Sequence, residues 1–413
     1  LRSVQALRLA SLLTLAGLAG CSKPQFPTYP EGYREFAYVA NSAADTVTVL
    51  DLIYLRPDRT LSVGSVPVAL AVNPKRDEVY ALNSQPGQAA GSVSVIDTTK
   101  NAVVATIAVQ RAPGSIVVDK TGQRAFVVNT GSNSISVVDL ATRRAIAAVA
   151  AAARPDMAAI APDGRTLVVT SPSSGTIGIY AAGIPPISNK TSVVTKVGYG
   201  APLALRASFT GCAGATSPVI LPDSSQVFVG CAGAHQVMAV WLAAAADSYY
   251  GKQDAALMTD HPLALLDVGR NPGNLTLKPD GGEVFVSNRG SDSISEIATQ
   301  TDEVGSTYAI GNRPAHGVVS SDNSALWVSN LGGEAVSLYS IDDGKFLSSL
   351  HTGLAPDALA FSADEQLLLA ADTRSGDVAV IRTAGRLGPS LFTILPAGGS
   401  PAAIVVKAMQ PGT

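Results

Sequence analysis

Apolar and polar positions alternate along this chain in short blocks that recur. Each block is a run of β-branched, aromatic or small apolar residues ending on Asn or another small residue, then a turn, then a second run with apolar residues at every other position, often closed by Asp. The first runs are Tyr38–Asn41, Tyr80–Asn83, Phe126–Asn129, Leu167–Ser171, Phe228–Cys231, Phe285–Asn288, Trp327–Asn330 and Leu368–Asp372. Period-two alternation bounded by Gly, Asp, Asn and Ser predicts strands joined by tight turns.

Residues 313–350 hold the fullest copy. Arg313-Pro314-Ala315-His316-Gly317 leads a strand, Ser321-Asp322-Asn323 turns, and Ala325 to Ser329 returns. Asn330 to Glu334 turns again, Ala335 to Ile341 forms a third strand and Phe346 to His351 a fourth. Four antiparallel strands in sequence order make a β-propeller blade. Asn41 and Asn83, like Asn288 and Asn330, are 42 residues apart, within the range of four-stranded propeller repeats. The first copy lacks an opening strand before Phe36, whereas Ser400 to Val406 is an opening strand with nothing after it. Joining the two leaves no sheet edge open. The expected fold is all-β: a propeller of eight four-stranded blades over residues 36–406, closed by the C-terminal strand joining the first blade, with a tail at 407–413. Seven blades is the alternative, if the repeat at 154–197 is irregular.

Tyr38-Val39-Ala40-Asn41 with Thr46-Val47-Thr48-Val49-Leu50-Asp51, and Phe285-Val286-Ser287-Asn288 with Asp292-Ser293-Ile294-Ser295, resemble the YVTN β-propeller repeat. The resemblance covers about residues 36–406 and implies the fold more than an activity. That family spans surface-layer proteins, export-pathway proteins and relatives of cofactor-binding propellers, and many of its members have seven blades.

Composition agrees with many short strands: charged residues are 15% of the chain, with 38 Gly and 25 Pro. The chain opens on Leu1, which implies an unusual start codon or a residue missing before it. Arg2 and Arg8 followed by the apolar stretch Leu9 to Ala19, too short to span a bilayer, read as an export signal over residues 1–20. Leu18-Ala19-Gly20-Cys21 resembles the bacterial lipobox, which implies cleavage before Cys21 and its lipidation; an ordinary secretory signal is the alternative. Ser22 after the Cys, by resemblance to enterobacterial sorting, implies the outer membrane. Residues 21–35 read as a lipid-anchored linker, so the expected location is extracytoplasmic, in the periplasm or at the cell surface. Without Arg2 and Arg8 the chain keeps 32 acidic residues against 27 basic, a balance that does not attract nucleic acid.

Cys212 and Cys231 are the remaining cysteines, and an oxidising compartment predicts a disulfide between them. The repeated Asn residues read as fold residues that tolerate left-handed turns and bond their own turn backbone. More telling is the loop that enters each blade, because these loops converge on the mouth of the central channel. Arg111, Arg154, Arg270 and Arg313 precede the blade-opening Pro by one or two places, and Asp156, Asn274, His316 and Asp357 follow it. Arg206, placed in an insertion at 199–217, and Arg289 and Arg374 in turns, are expected on the same face. These eight blade-entrance residues are the candidate ligand-binding set, for an anionic or hydroxyl-rich small ligand, a polysaccharide or an acidic envelope partner; pairing of the Arg residues with Asp156, Asp357 and blade-edge carbonyls is the alternative. His235, His261 and His351 lack metal-ligand spacing, and no Gly-x-Ser-x-Gly elbow or P-loop is present. The sequence therefore assigns no catalytic residue, metal or cofactor. The reading is a lipid-anchored binding or interaction scaffold. Its alternatives are a hydrolytic, lactonase-like propeller, a haem-binding one in which His316 ligates iron as in the haem d1 relatives, and a surface-layer component using the stretch 243–262.

Overall fold

The computed structural model describes residues 29–85, 87, 89–183, 202–243, 259–385 and 388–409. Residues 1–28 with Cys21, most of the stretch 243–262 and residues 410–413 lie outside them. Among the described residues thirty-two strands form eight four-stranded antiparallel sheets. The innermost strands are β4 (Pro67–Val72), β8 (Pro113–Val118), β12 (Ala158–Ile160), β16 (Ala215–Ile220), β20 (Pro272–Leu277), β24 (Pro314–Val319), β28 (Pro356–Phe361) and β32 (Pro401–Met409). Each packs against the next in that order, and β32 returns to β4. The count is eight. Blade four, the repeat that the sequence left open as irregular, keeps its place in the ring although its inner strand is only three residues long.

The first blade joins the two ends of the chain. β1 (Arg34–Asn41) pairs with β2 (Thr46–Asp51) on one side and with β32 on the other, in a register from Arg34 opposite Met409 to Asn41 opposite Pro401. The pairing takes in Lys407, Ala408 and Met409, three residues that the sequence assigns to a tail. The Lys407 ammonium caps the base of blade two, donating to the carbonyls of Asn73 (3.1 Å) and Arg76 (2.9 Å).

Middle strands are buried on both faces because each sheet is sandwiched between its neighbours, as in β13 (Thr166–Ser171), which is buried throughout. Tyr38, Tyr80, Phe126, Phe228, Phe285 and Trp327 occupy the same place in six blades, each 2% exposed or less. Each fills the core between its own sheet and that of the next blade. Outer strands alternate and face water, as in β11 (Arg144–Ala150).

The recurrent Asn residues are fold residues, and Asn83 and Asn129 bond backbone across their own turns as expected, to Ser92 and Ser134 (3.3 Å each), but the left-handed conformation is not used. None has a left-handed backbone. Each donates its amide to a hydroxyl on the next strand: Asn41 to Thr48 (2.9 Å), Asn83 to Ser94 (3.0 Å), Asn129 to Ser136 (3.0 Å), Asn288 to Ser295 (3.0 Å) and Asn330 to Ser337 (2.8 Å). The Ser337 hydroxyl passes the bond on to the carbonyl of Ile310 in the loop entering the blade (2.7 Å), and Thr48 does the same to Ala397. In these two blades the latch ties the second strand, the third strand and the entry loop together. Three blades replace it. Blade five uses the Cys212–Cys231 disulfide, which closes a 19-residue separation and contributes on the order of 3 kcal/mol in the chain-entropy account. Blade four has Ser171 and Gly178 at the two positions. Blade eight has Asp372, whose carboxylate accepts from the Gly353 N–H (2.9 Å) and the Thr352 hydroxyl (3.0 Å).

Asp372 is fully buried, and burial, with Asp377 adding its charge, pushes its pKa up to about 7. An upward displacement makes the ionised carboxylate destabilising in the fold. The penalty is absent below about pH 4, grows towards pH 7 and is complete above it. Asp372→Asn should therefore leave stability near pH 4 almost unchanged and raise it by a few kcal/mol at pH 8, at ~1.4 kcal/mol per tenfold change in the acid constant. Thermal unfolding at both pH values measures this, and an equal gain at both would contradict it.

Candidate functional site

The loops that enter the blades lie on one face, the mouth, together with the turns between second and third strands. Antiparallel succession puts the turns between first and second strands on the opposite face, the base. At the mouth, the residue before the opening Pro has a left-handed backbone: Val66, Ala112, Arg154, Asn271, Arg313, Ala355 and Ser400 have φ between 43° and 59°. Gly214 (φ 71°) fills this place in blade five, where no Pro follows it. Such a conformation is uncommon outside Gly and is held here by hydrogen bonds. The Arg313 carbonyl accepts from Leu331 N–H (3.1 Å), and its own N–H donates to Asp292 Oδ1 of the preceding blade (2.8 Å). Arg154 N–H is held by Asn133 (2.7 Å) and Val66 N–H by Asp45 (2.7 Å) in the same way. These inter-blade bonds fix where the rim side chains start from.

Of the eight blade-entrance residues, three meet. Arg313 and Asp357 line a cleft of about 350 Å³ between blades seven and eight, together with Leu331, Ala355, Thr373 and Arg374. His316, on β24, bonds through Nδ1 to Asp357 Oδ1 on β28 at 2.7 Å. Arg289 joins from blade six. A Cβ on Gly273 would stand 2.6 Å from its Nε, so the guanidinium lies across bare backbone of β20. That Nε is buried and has no hydrogen-bond partner among the described residues. Burial alone would raise the pKa of Asp357, but the hydrogen bond and charge of His316, with the charge of Arg289 behind them, hold it below the ordinary carboxylate range.

The other five are elsewhere on the ring. Arg154 and Asp156 belong to blade four; the Asp156 carboxyl has no polar partner among the described residues, and burial raises its pKa. Asn274 is spent on packing, its Nδ2 reaching Ser217 (3.4 Å) and its Oδ1 accepting from Thr276 (3.2 Å) and Gly317 N–H (3.4 Å). Arg111 and Arg270 are on the exposed rim, with their N–H groups donating to Ser132 (2.8 Å) and Ser291 (3.0 Å). The carboxylate part of the alternative is not met for Arg154, Arg270 and Arg313: none of the three is within 4.0 Å of a carboxylate among the described residues. Arg206 is not at the mouth. It sits on β15 (Ala204–Phe209), the outer strand of blade four, and forks onto Asp260 at 2.6 and 2.7 Å. The sequence reads that segment as an insertion because an outer strand facing water lacks the apolar run of its inner partners.

A second cavity, of about 240 Å³, lies between blades three and four, lined by Ala150, Ser171, Thr176, Gly178, Tyr180 and Ser208 among others. It opens where the Asn–Ser latch is missing, and no charged side chain faces it. Among the described residues no three His, Cys, Asp or Glu side chains group to hold a metal.

No protein-family model matches the chain, and no curated protein matches it in sequence. Solved structures are similar in fold. Dihydro-heme d1 dehydrogenase NirN in complex with DHE superposes with a TM-score of 0.67 at 15% identity, over 93% of this chain and 77% of that one. A functionally unknown protein from Desulfotomaculum acetoxidans gives 0.58 at 16% identity, over 90% and 98%. A putative 6-phosphogluconolactonase from Bacteroides uniformis gives 0.58 at 14%, over 91% and 99%. At these identities the likeness is one of fold alone.

If Arg289 helps to hold Asp357 ionised, Arg289→Ala should move the Asp357 titration upward and leave that of Asp139, at the base, where it is. Carboxyl NMR titration reads both, and an unmoved Asp357 would remove Arg289 from the site.

Proposed function

We propose that this protein is a lipid-anchored binding module of the bacterial envelope that captures an anionic ligand in the cleft between blades seven and eight. One observation carries the reading: Arg313 and Arg374 line the same cleft and neither is paired with a carboxylate among the described residues. The one carboxylate in the cleft, Asp357, is already committed to His316. A ligand oxyanion can therefore enter between two guanidinium groups without displacing an existing ion pair. Arginine suits this task because its planar fork donates two parallel hydrogen bonds to a carboxylate or phosphate.

The His316–Asp357 pair supports a second reading, of hydrolytic or cofactor-handling chemistry. With Nδ1 bonded to a carboxylate, His316 keeps Nε2 to accept a proton or meet a metal. The likeness to a putative lactonase and a haem d1 dehydrogenase keeps this reading in view, and it needs a reacting group that the cleft does not itself define. A surface-layer role would rest on the stretch 243–262, most of which is outside the described residues.

Inorganic phosphate is a suitable probe, followed by the ring signals of His316 in an NMR titration at low ionic strength. Arg313→Ala and Arg374→Ala should each weaken binding about 10- to 100-fold, the ~1.5–3 kcal/mol of a charged hydrogen bond, whereas Arg111→Ala should change it little. Equal affinity in all three variants would refute the cleft as the site.

A further inference from the structure

The chain enters the propeller at the base. Tyr29 donates its hydroxyl to Asp364 (3.0 Å) in the turn between β28 and β29 (Leu367–Asp372), and its ring stacks on that of Tyr33 at 4.9 Å and 7°. Tyr33 in turn donates to Glu35 (3.0 Å), and the other oxygen of that buried carboxylate accepts the Ala363 N–H of the same turn (2.6 Å). Arg34 reaches the Thr99 carbonyl at the base of blade two (3.1 Å). Three hydrogen bonds to the base, through Tyr29, Arg34 and Glu35, thus pin the segment from Tyr29 to Glu35 to the face opposite the arginine-bearing mouth.

Cys21 is eight residues before Tyr29, a reach of at most about 28 Å when fully extended. For the mouth to rest on the bilayer, that stretch would have to pass outward beneath the remaining strands of blade eight, roughly 15 Å, and then climb six-residue strands, roughly 20 Å. The path is longer than the chain that must follow it. Resting on the base requires no such detour.

We infer that, in the anchored protein, the mouth opens away from the membrane that holds Cys21 and takes its anion from solution rather than from the headgroups of that membrane. The inference rests on the proposed lipid anchor at Cys21, and its test separates the two. The full lipidated chain is reconstituted in phosphatidylethanolamine–phosphatidylglycerol vesicles whose headgroups carry a fluorescence quencher. A fluorophore is placed either at Ala44→Cys, exposed on a mouth turn of blade one, or at Lys120→Cys, exposed on a base turn of blade three. Flotation of the protein with the vesicles reports the anchor.

Several-fold stronger quenching at position 120 than at 44 is the expected result, with phosphate added in solution binding the anchored protein as tightly as the protein released from its lipid. Equal or reversed quenching in protein that floats would overturn the inference while the anchor stands. So would loss of phosphate binding on anchoring, since headgroups would then occupy the mouth. Protein that does not float removes the anchor, and the inference with it.

Discussion

Antiparallel pairing of β1 with β32 closes the ring of eight blades. Seven of the eight sheets form from consecutive strands and could fold locally, but a ring of sheets has a defined centre only when its first and last members meet. A blade lacking its inner strand would expose a row of unpaired N–H and C=O groups and leave a gap in the channel wall beside blade eight. Closure by residues 401–409 supplies that strand from the far end of the chain. It fixes the distance between blade eight and its neighbours, and so the width of the cleft that Arg313 and Arg374 share.

Within the closed ring, the blades differ where one local device is replaced by another. Five use an Asn amide and a hydroxyl to tie the second strand to the third, and in blades one, six and seven that hydroxyl also bonds the entry loop. Blade five substitutes a covalent bond, blade four leaves an uncharged cavity, and blade eight uses a buried carboxylate. The cleft lies beside that last substitution: Thr373 and Arg374 directly follow Asp372. Around the mouth, left-handed residues held by bonds from the preceding blade set the rim, so rim side chains are carried on strained but fixed backbone rather than on pliant loops.

The repeat made most of the fold legible, because a period-two pattern and its turns depend on local chemistry. The orphan strand at Ser400 could be matched to the missing one before Phe36 from pattern alone, and Cys212 could be matched to Cys231 by compartment. Legibility failed where burial decides the pattern. The outer strand holding Arg206 is too exposed to announce itself, and the Asn residues look like turn formers because their true partners, hydroxyls seven or eleven residues on, are spoken for by tertiary packing. For the candidate site, the sequence named rim residues but not which of them meet. His316 and Asp357 are 41 residues apart, almost one repeat, so their meeting on adjacent inner strands was readable in principle. That Arg289 crosses Gly273 was not, since it depends on a side-chain path over backbone that only Gly leaves open.

The central claim is that a closed, rigid ring presents one anion-binding cleft between blades seven and eight. A crystal structure of the protein grown with phosphate tests it most directly. The expected result is a tetrahedral anion bound by both Arg313 and Arg374, with the His316–Asp357 bond intact. An anion bound elsewhere on the mouth, or a cleft occupied by a carboxylate of the chain itself, would contradict it.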